Sequence, residues 1–349
     1  MSHDSHLPAL LLPWFAENAR VLPWREDADP YHVWISEIML QQTRVEAVIG
    51  YYRRFLEALP TIRALAEVPD DELMKLWQGL GYYSRARNLK RAAIMIERTY
   101  AGVFPREYDE IRKLPGIGAY TAGAISSICF DRPEPAVDGN VLRVYSRFAA
   151  WDENIDTQKA KKELADRLRP LYTPGSGSAF TQSLMELGAC VCLPNGAPEC
   201  PRCPLRDVCK ANLAGTQTRY PVRTEKKARR IENRLVLVLR HEGRYAVRKR
   251  PDKGLLAGLW EFPGELIEGD RPPTEQDALA FAEKLGVSPV EIRGTASYVH
   301  VFTHVEWRVT GFYCECEKLP EQFTAADAGE LRGVYAIPNA FKPLLDHIT

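Results

Sequence analysis

The chain has no surplus of either charge. Its 46 lysines and arginines are matched by 46 aspartates and glutamates, for a formal net charge of zero. A neutral total neither supports nor excludes a polyanionic partner, so local patches have to decide. No apolar run is long enough to span a bilayer, which removes a membrane from the expected partners. The first twenty residues offer only "LPALLLPWF", broken by prolines and preceded by no lysine or arginine. Neither a secretory signal nor an arginine-rich transit segment is expected there. Internal repeats and low-complexity tracts are missing too. What remains is an ordinary globular mix, 45% hydrophobic and 26% charged over 349 residues. That is enough to bury cores in roughly one to three domains. The expected setting is soluble and intracellular.

Hydrophobic periodicity divides the chain. Up to about residue 212 the pattern is helical. "VWISEIMLQQTRVEAVIGYYRRFLEAL" puts Ile38, Val45, Val48, Ile49, Tyr52 and Phe55 on one helical stripe. Two more helices follow, broken at the "GLG" of residues 79–81. "REYDEIRKL", "AYTAGAISSICF", "GNVLRVYSRFAAW", "QKAKKELADRLRPL" and "GSAFTQSLMELGACVC" continue the series between short Gly/Pro connections. The composition then shifts. Six basic and two acidic residues crowd Arg223 to Arg234, as in a solvated linker or one that lies along DNA. Beyond it the period becomes two. "RLVLVLRHEGRYAVRKR" predicts a hairpin turning at "EG", "ASYVHVFTHVEWRVTGFYCEC" holds two further strands, and "TEQDALAFAEKLGV" is an amphipathic helix. The expected domains are a helical one over 1–215, a linker over 216–232 and an α+β domain over 233–349.

Five of the eight cysteines fall between Cys190 and Cys209. In a protein with no export signal, clustered thiols point to metal rather than to disulfides. Cys192, Cys200, Cys203 and Cys209 suit either a tetrahedral zinc or a four-iron cluster. Zinc knuckles commonly pair two CxxC units and only one is present, which favours a [4Fe-4S] cluster held in the region 190–209. Cys190 is a rival to Cys192, since helical geometry points the two in different directions.

"LPGIGAYTAGAI" places Gly116 and Gly118 before a helix, with Tyr120 just inside it. Such a turn is either an ordinary corner between helices or a cradle of backbone amides for a phosphate. Asp138 in "VDGNVLRV" is either a helix N-cap or a functional carboxylate. Glu37 lies among Trp34, Ile35, Ile38 and Met39. On an exposed helix edge it would mean little. Buried, it would have a raised pKa and stay protonated near neutrality, as a general acid requires.

Together these residues resemble the MutY-type adenine DNA glycosylases of the helix–hairpin–helix superfamily. "LPWR", "VWISEIMLQQT", "GLGYYSRARNL", "LPGIGAYTAGAI", "VDGNVLRV", "LMELGACVC" and the cysteine run match in order across residues 22–209. "GLLAGLWEFPG" and "VFTHVEW" extend the match into a Nudix-like second domain. The resemblance implies an all-α glycosylase domain with an iron–sulfur loop, then an α+β Nudix-like domain. It also implies hydrolysis of the N-glycosidic bond of adenine mispaired with 8-oxoguanine or guanine in double-stranded DNA. The target base has to be flipped out because its reacting atoms are hidden in the stack.

The implied roles follow residue by residue. Glu37 protonates adenine at N7, Asp138 stabilises the sugar cation, and Asn140 and Tyr120 position the sugar. Arg25 and Glu186 lie near the adenine. Leu40, Gln41, Gln42 and Thr43 reach into the duplex, Gly116 and Gly118 hold a phosphate, and Tyr82 is an aromatic wedge or else a half-buried helix-start residue. Phe302, Thr303 and His304 check 8-oxoguanine, with Thr303 in place of a more usual serine. The cysteine spacing of seven between Cys192 and Cys200 departs from the family's six. Of the acidic Nudix helix only Glu283 survives, with Leu279, Ala280 and Lys284 at its other key positions, so recognition rather than hydrolysis is expected of that domain. The alternative is an endonuclease III-like bifunctional pyrimidine-lesion glycosylase, which uses a lysine where this chain has Tyr120. The expected form is a monomer in the bacterial cytoplasm, at the nucleoid.

Overall fold

Helix starts and stops follow the local chemistry of the chain. Asp29 accepts the amide of Tyr31 at 2.7 Å and Pro30 occupies the first position of the helix Pro30–Leu40, where its missing N–H costs nothing. Thr157 caps Gln158–Leu168 in the same way. The computed structural model describes residues 2–225, 228–287 and 290–348. Lys226 and Lys227 of the basic linker, and Ser288, Pro289 and Thr349 of the expected second domain, lie outside the described residues. Contacts divide the chain into two units, one of residues 1–67 and 87–225, the other of 68–86 and 226–349. Among the described residues no helix is long and apolar enough to cross a membrane.

The first unit is helical. The stripe from Ile38 to Phe55 is carried by two helices, Pro30–Leu40 and Val45–Ala58. Gln42 between them adopts a φ of 60°, a left-handed conformation that stops a right-handed helix. Val48, Tyr52 and Phe55 are buried as the periodicity requires, while Val45 and Ile49 are only partly so. Val141, Val144, Tyr145 and Phe148 of Gly139–Ala149 form a core with Leu7 and Leu11 of His6–Asn18 and with Phe180, Leu184 and Leu187 of Gly177–Cys190. Two glycines permit close approaches. A Cβ on Gly123 would stand 2.4 Å from the Pro135 carbonyl oxygen, and one on Gly188 would stand 2.5 Å from the Cβ of Asn140.

The second unit is built on a seven-stranded mixed sheet. Its strands are β1 (Arg230–His241), β2 (Arg244–Lys249), β3 (Trp260–Glu261), β4 (Gly264–Ile267), β5 (Val290–Val301), β6 (Val305–Cys316) and β7 (Thr324–Ala326). The order is β3-β2-β1-β6-β5, with β4 pairing β1 and β7 pairing β2. β1 and β6 run parallel and the other pairs are antiparallel. The "EG" turn forms as expected, with Glu242 at φ 48° and Gly243 at φ 76°, the primed geometry that tight hairpins favour. The continuous "LVLVL" run is explained by burial of β1 on both faces. Leu235, Leu237 and Leu239 pack with Phe281 of the helix Glu275–Lys284, and Val236 and Val238 pack with Phe341 and Leu344.

Sequence periodicity did not foretell the allegiance of residues 68–86. Asp71 pairs with Lys249 at 2.6 Å, Lys75 donates to the Arg332 carbonyl at 2.5 Å, and Gln78 donates to the Ile337 carbonyl at 2.6 Å. This segment packs with the sheet unit although it lies early in the chain.

Replacing Gly123 by alanine should destabilise the first unit by about 1–3 kcal/mol, the usual cost of overpacking against immobile backbone. Thermal unfolding measures this, and an unchanged melting temperature would show that the helix yields freely.

Candidate active site and cysteine centre

The helix Pro30–Leu40 buries seven consecutive residues from Val33 to Met39, so its carboxylate has no exposed edge. Glu37 is 5% exposed. It lines a cavity of about 170 Å³ in the first unit together with Arg25, Leu40, Thr43, Tyr120, Asp138, Asn140 and Glu186. Eight residues expected at the site are thereby brought together. The phenol of Tyr120 donates a short hydrogen bond to Glu37 Oε2, so its hydroxyl is already engaged by the other candidate side chain. Desolvation pushes the Glu37 carboxyl up to about 7, against the Tyr120 hydrogen bond and helped by nearby Asp138.

Asp138 is the helix N-cap that its sequence context allowed, and it also lines the cavity. Its Oδ1 accepts the Val141 amide at 2.7 Å and caps the helix Gly139–Ala149. Its Oδ2 accepts from Asn140 Nδ2 at 2.8 Å and lines the cavity. Desolvation raises its carboxyl, opposed by these two hydrogen bonds and by Arg143. Two carboxyls thus share one cavity, and neither reaches full charge cheaply.

The chain behind Asp138 was not foreseen. Arg143, buried in the same helix, donates Nη2 to Asn140 Oδ1 at 2.7 Å and to the Gly188 carbonyl at 2.7 Å, and Nε to the Cys192 carbonyl at 2.7 Å. A charged residue inside the apolar stretch "VLRV" was its only sequence signal. Arg20 was also missed. It grips Glu186 through Nε at 2.6 Å and Nη2 at 3.0 Å, while Arg25 reaches the same carboxylate at 2.8 Å. Burial alone would raise Glu186, yet the two arginines together hold it down at about 2. The site therefore has one carboxylate locked in the charged form and one poised near neutrality.

Gln41 and Gln42 flank the cavity at the helix break, with Gln41 Nε2 3.4 Å from Thr121 Oγ1. Gly116 has a φ of 80°, and a Cβ there would stand 2.5 Å from the Cβ of Asn88, so glycine is required. Gly118 differs. Its φ is −93°, and a methyl group added there would meet nothing within 4 Å beyond its chain neighbours. It caps Ala119–Phe130 with no side-chain acceptor for the first amides.

Tyr82, Phe302, Thr303 and His304 belong to the second unit. Tyr82 takes a left-handed φ of 47°, stays 45% exposed and shares a 2.6 Å hydrogen bond with Thr303 Oγ1. The ring stands out, and its hydroxyl ties it to the loop that follows β5. Glu283 lies on the helix Glu275–Lys284 with Leu279, Ala280 and Lys284.

Cys192, Cys200, Cys203 and Cys209 line one cavity of the first unit, and Cys190 does not. Cys190 instead lies 3.7 Å from Glu186 Oε1. Arg147 Nη1 approaches Cys192 Sγ at 3.3 Å and donates to the Leu193 carbonyl at 2.8 Å. Among the described residues no group of three or more His, Cys, Asp and Glu side chains is arranged to hold a metal ion.

Comparison with known proteins agrees with this arrangement. Residues 35–170 match the model of the HhH-GPD superfamily base excision DNA repair proteins, and residues 234–347 match that of the NUDIX domain. An adenine DNA glycosylase of Buchnera aphidicola (from Acyrthosiphon pisum) is 32% identical, over 84% of this chain and 82% of the relative. The chain belongs to the adenine DNA glycosylase family. The Arabidopsis thaliana adenine DNA glycosylase is 35% identical over 86% of this chain, which spans only 55% of that longer protein. The human one is 34% identical over 85% of this chain and 64% of its own length. Among solved structures, a thermostable thymine-DNA glycosylase aligns with a TM-score of 0.56 at 27% identity, covering 61% of this chain and 97% of its own. A trapped endonuclease III–DNA covalent intermediate aligns with a TM-score of 0.52 at 26% identity, covering 62% and 99%. As expected, this adenine DNA glycosylase family member joins a helical helix–hairpin–helix domain to a Nudix-like one.

For a family that breaks a glycosidic bond, the poised Glu37 has a pH consequence. Its carboxyl is protonated below about 7 and ionised above. A proton donor is therefore present on the acid side and lost as pH rises. Single-turnover base release should fall through a limb near pH 7, and a rate that rises across this window would reverse the assignment.

Proposed function

We propose that the protein hydrolyses the N-glycosidic bond of adenine opposite 8-oxoguanine or guanine in double-stranded DNA, leaving the strand unbroken. The observation that carries this reading is the pair Glu37 and Asp138 in one cavity, one carboxyl held near neutrality and the other tied in place by Val141, Asn140 and, through Asn140, Arg143. Glu37 donates its proton to N7 of the flipped adenine and turns the base into a better leaving group. As the bond lengthens, positive charge grows on the sugar. Asp138 faces it as an anion, stabilised by its hydrogen bonds. Two carboxyls with opposite protonation states, set by their surroundings, divide acid and electrostatic work. Tyr120 orients Glu37 through its hydroxyl, and Asn140 orients Asp138. The Arg20–Glu186–Arg25 cluster supplies fixed donors along the base edge.

The bifunctional alternative needs a primary amine to form a Schiff base. Tyr120 is a phenol, and no lysine lines the cavity among the described residues. The open space beside Gly118 and the uncapped first amides of its helix suit a phosphate oxygen. A backbone grip of this kind reads no sequence. In the second unit Tyr82 is the wedge beside the lesion pair and Phe302–Thr303–His304 the check on 8-oxoguanine. We read the protein as a working monomer. A DNA substrate supports the reading that it works beside chromosomal DNA, which in a bacterial cytoplasm is the nucleoid.

Cys192, Cys200, Cys203 and Cys209 would hold a [4Fe-4S] cluster. The four thiols line one cavity, and their single CxxC unit with unequal arms fits a four-iron cluster better than a zinc knuckle built on paired CxxC units. When bound, the cluster supplies a rigid cross-link of the loop and a redox-capable centre. Arg147 and Gln217 point N–H groups at Cys192 and Cys200, the kind of contact that tunes such centres.

Glu37→Gln should abolish adenine release, by about 10²-fold or more, while leaving mispair binding intact. An unchanged single-turnover rate would end the general-acid assignment. Products should break only after alkali treatment. Anaerobic analysis should find about four irons and four sulfides per chain, and zinc in their place would refute the cluster.

A further inference from the structure

Hydrogen bonds hold the loop Phe302–His304 in place. The Phe302 amide donates to the Val305 carbonyl at 2.8 Å. Arg229 Nε donates to the Phe302 carbonyl at 3.1 Å, and the Arg230 amide to the His304 carbonyl at 3.2 Å. Thr303 shares its hydrogen bond with Tyr82. The ring of Phe302 meets Trp307 edge-on at 4.9 Å. His300 meets the same ring at 4.6 Å; of the two neighbours Trp307 is the buried one, so the pose of the Phe302 ring follows where Trp307 sits.

Trp307 is 1% exposed and is clamped in two directions. The parallel register of β1 and β6 sets Glu232 beside it. Its indole N–H donates to Glu232 Oε2 at 2.8 Å, which fixes the ring in its own plane. The Arg234 guanidinium lies over its face, 4.5 Å from the ring centre, and stands 3.6 Å from the same Glu232 oxygen. Arg230 grips the other oxygen of Glu232. Plain stabilisation would place an aliphatic side chain over a buried tryptophan. Apolar replacements of such largely buried ion pairs are often neutral or stabilising, so orientation of the indole is what this pair can add. A satisfied polar network of this kind allows its members few alternative poses.

We propose that Glu232, Trp307 and Arg234 are positioning residues that set the preference for 8-oxoguanine over guanine opposite adenine, by fixing Phe302–His304 through the Phe302 ring. The inference rests on the reading of that loop as the lesion check. None of the three belongs to the cavity of the first unit, so the chemical step itself should be untouched.

The test uses the full-length protein and single-turnover rates on duplexes with adenine opposite 8-oxoguanine and opposite guanine, with melting temperatures alongside. Arg234→Met removes the cation over the ring, and Glu232→Gln, which can still accept from the indole, removes the charge that pairs with Arg230 and Arg234. Trp307→Leu removes the platform, and Trp307→Phe restores an aromatic edge without the N–H. The ratio of the two rates should fall about tenfold in Trp307→Leu and severalfold in the other clamp variants, with partial rescue in Trp307→Phe and a nearly constant rate opposite guanine. Thr303→Ala separates the two levels of the argument. If it lowers the ratio while folded Arg234→Met and Glu232→Gln keep it, this inference fails alone. If the wild-type protein shows no preference, the loop reading fails and takes the inference with it. Equal losses on both duplexes would mark the clamp as general structure and also overturn the proposal.

Discussion

Glu37 and Asp138 cannot both be charged at low cost in one desolvated cavity, and the first unit is organised around that constraint. The helix that carries Glu37 is buried on nearly every side, so water cannot relieve the carboxyl. One hydrogen bond from Tyr120 does not offset the burial. Asp138 sits at a helix N-terminus, where backbone amides and the helix dipole favour an anion. The asymmetry between the two carboxyls therefore comes from backbone placement. One is in the middle of a buried helix and the other caps one. Glu186 completes the pattern, with two arginines removing any ambiguity about its charge.

Arg143 links this arrangement to the cysteine loop. Its guanidinium accepts no hydrogen bonds and offers a rigid fork of donors. Here the fork spans Asn140, Gly188 and the carbonyl of Cys192. Gly188 is glycine for the same reason, because a methyl group would strike Asn140. The residue that orients Asp138 is therefore held by the same group that fixes the first cysteine of the centre. A loop carrying four thiols has to be ordered for Arg143 to find its third acceptor. Order in the cysteine loop and order at Asp138 are thus expressed through one side chain.

Much of this was legible in the sequence, for physical reasons that differ between residues. Periodicity and turn chemistry located the helices, the β1–β2 hairpin and the central strand, since those depend on local pattern. The eight cavity residues were recoverable because they lie in short motifs. Arg20 and Arg143 were not, since their meaning lies in partners 166 and 45 residues away in the chain. The break within the stripe of residues 38–55 was not legible, because periodicity cannot register one residue at positive φ. The choice between Cys190 and Cys192 needed three dimensions as well. Both lie at a helix end, and only the cavity shows which thiol turns toward the other three.

The segment 68–86 bears on how the second unit works. By sequence it belongs to the helical part, yet its polar side chains give their hydrogen bonds to backbone carbonyls after β7 and its Tyr82 to Thr303. Tyr82 carries a conformational cost in its left-handed φ, and such strain persists where the surroundings over-determine it. Tyr82 and the loop after β5 are therefore one structural group, although 221 residues separate Tyr82 from Thr303. Deleting the C-terminal residues would strip Asp71, Lys75, Gln78 and Tyr82 of their partners at once. Any altered substrate preference of a truncated protein would then report on a displaced Tyr82 as much as on a missing loop. Point changes that leave the sheet intact are the ones that separate the two contributions.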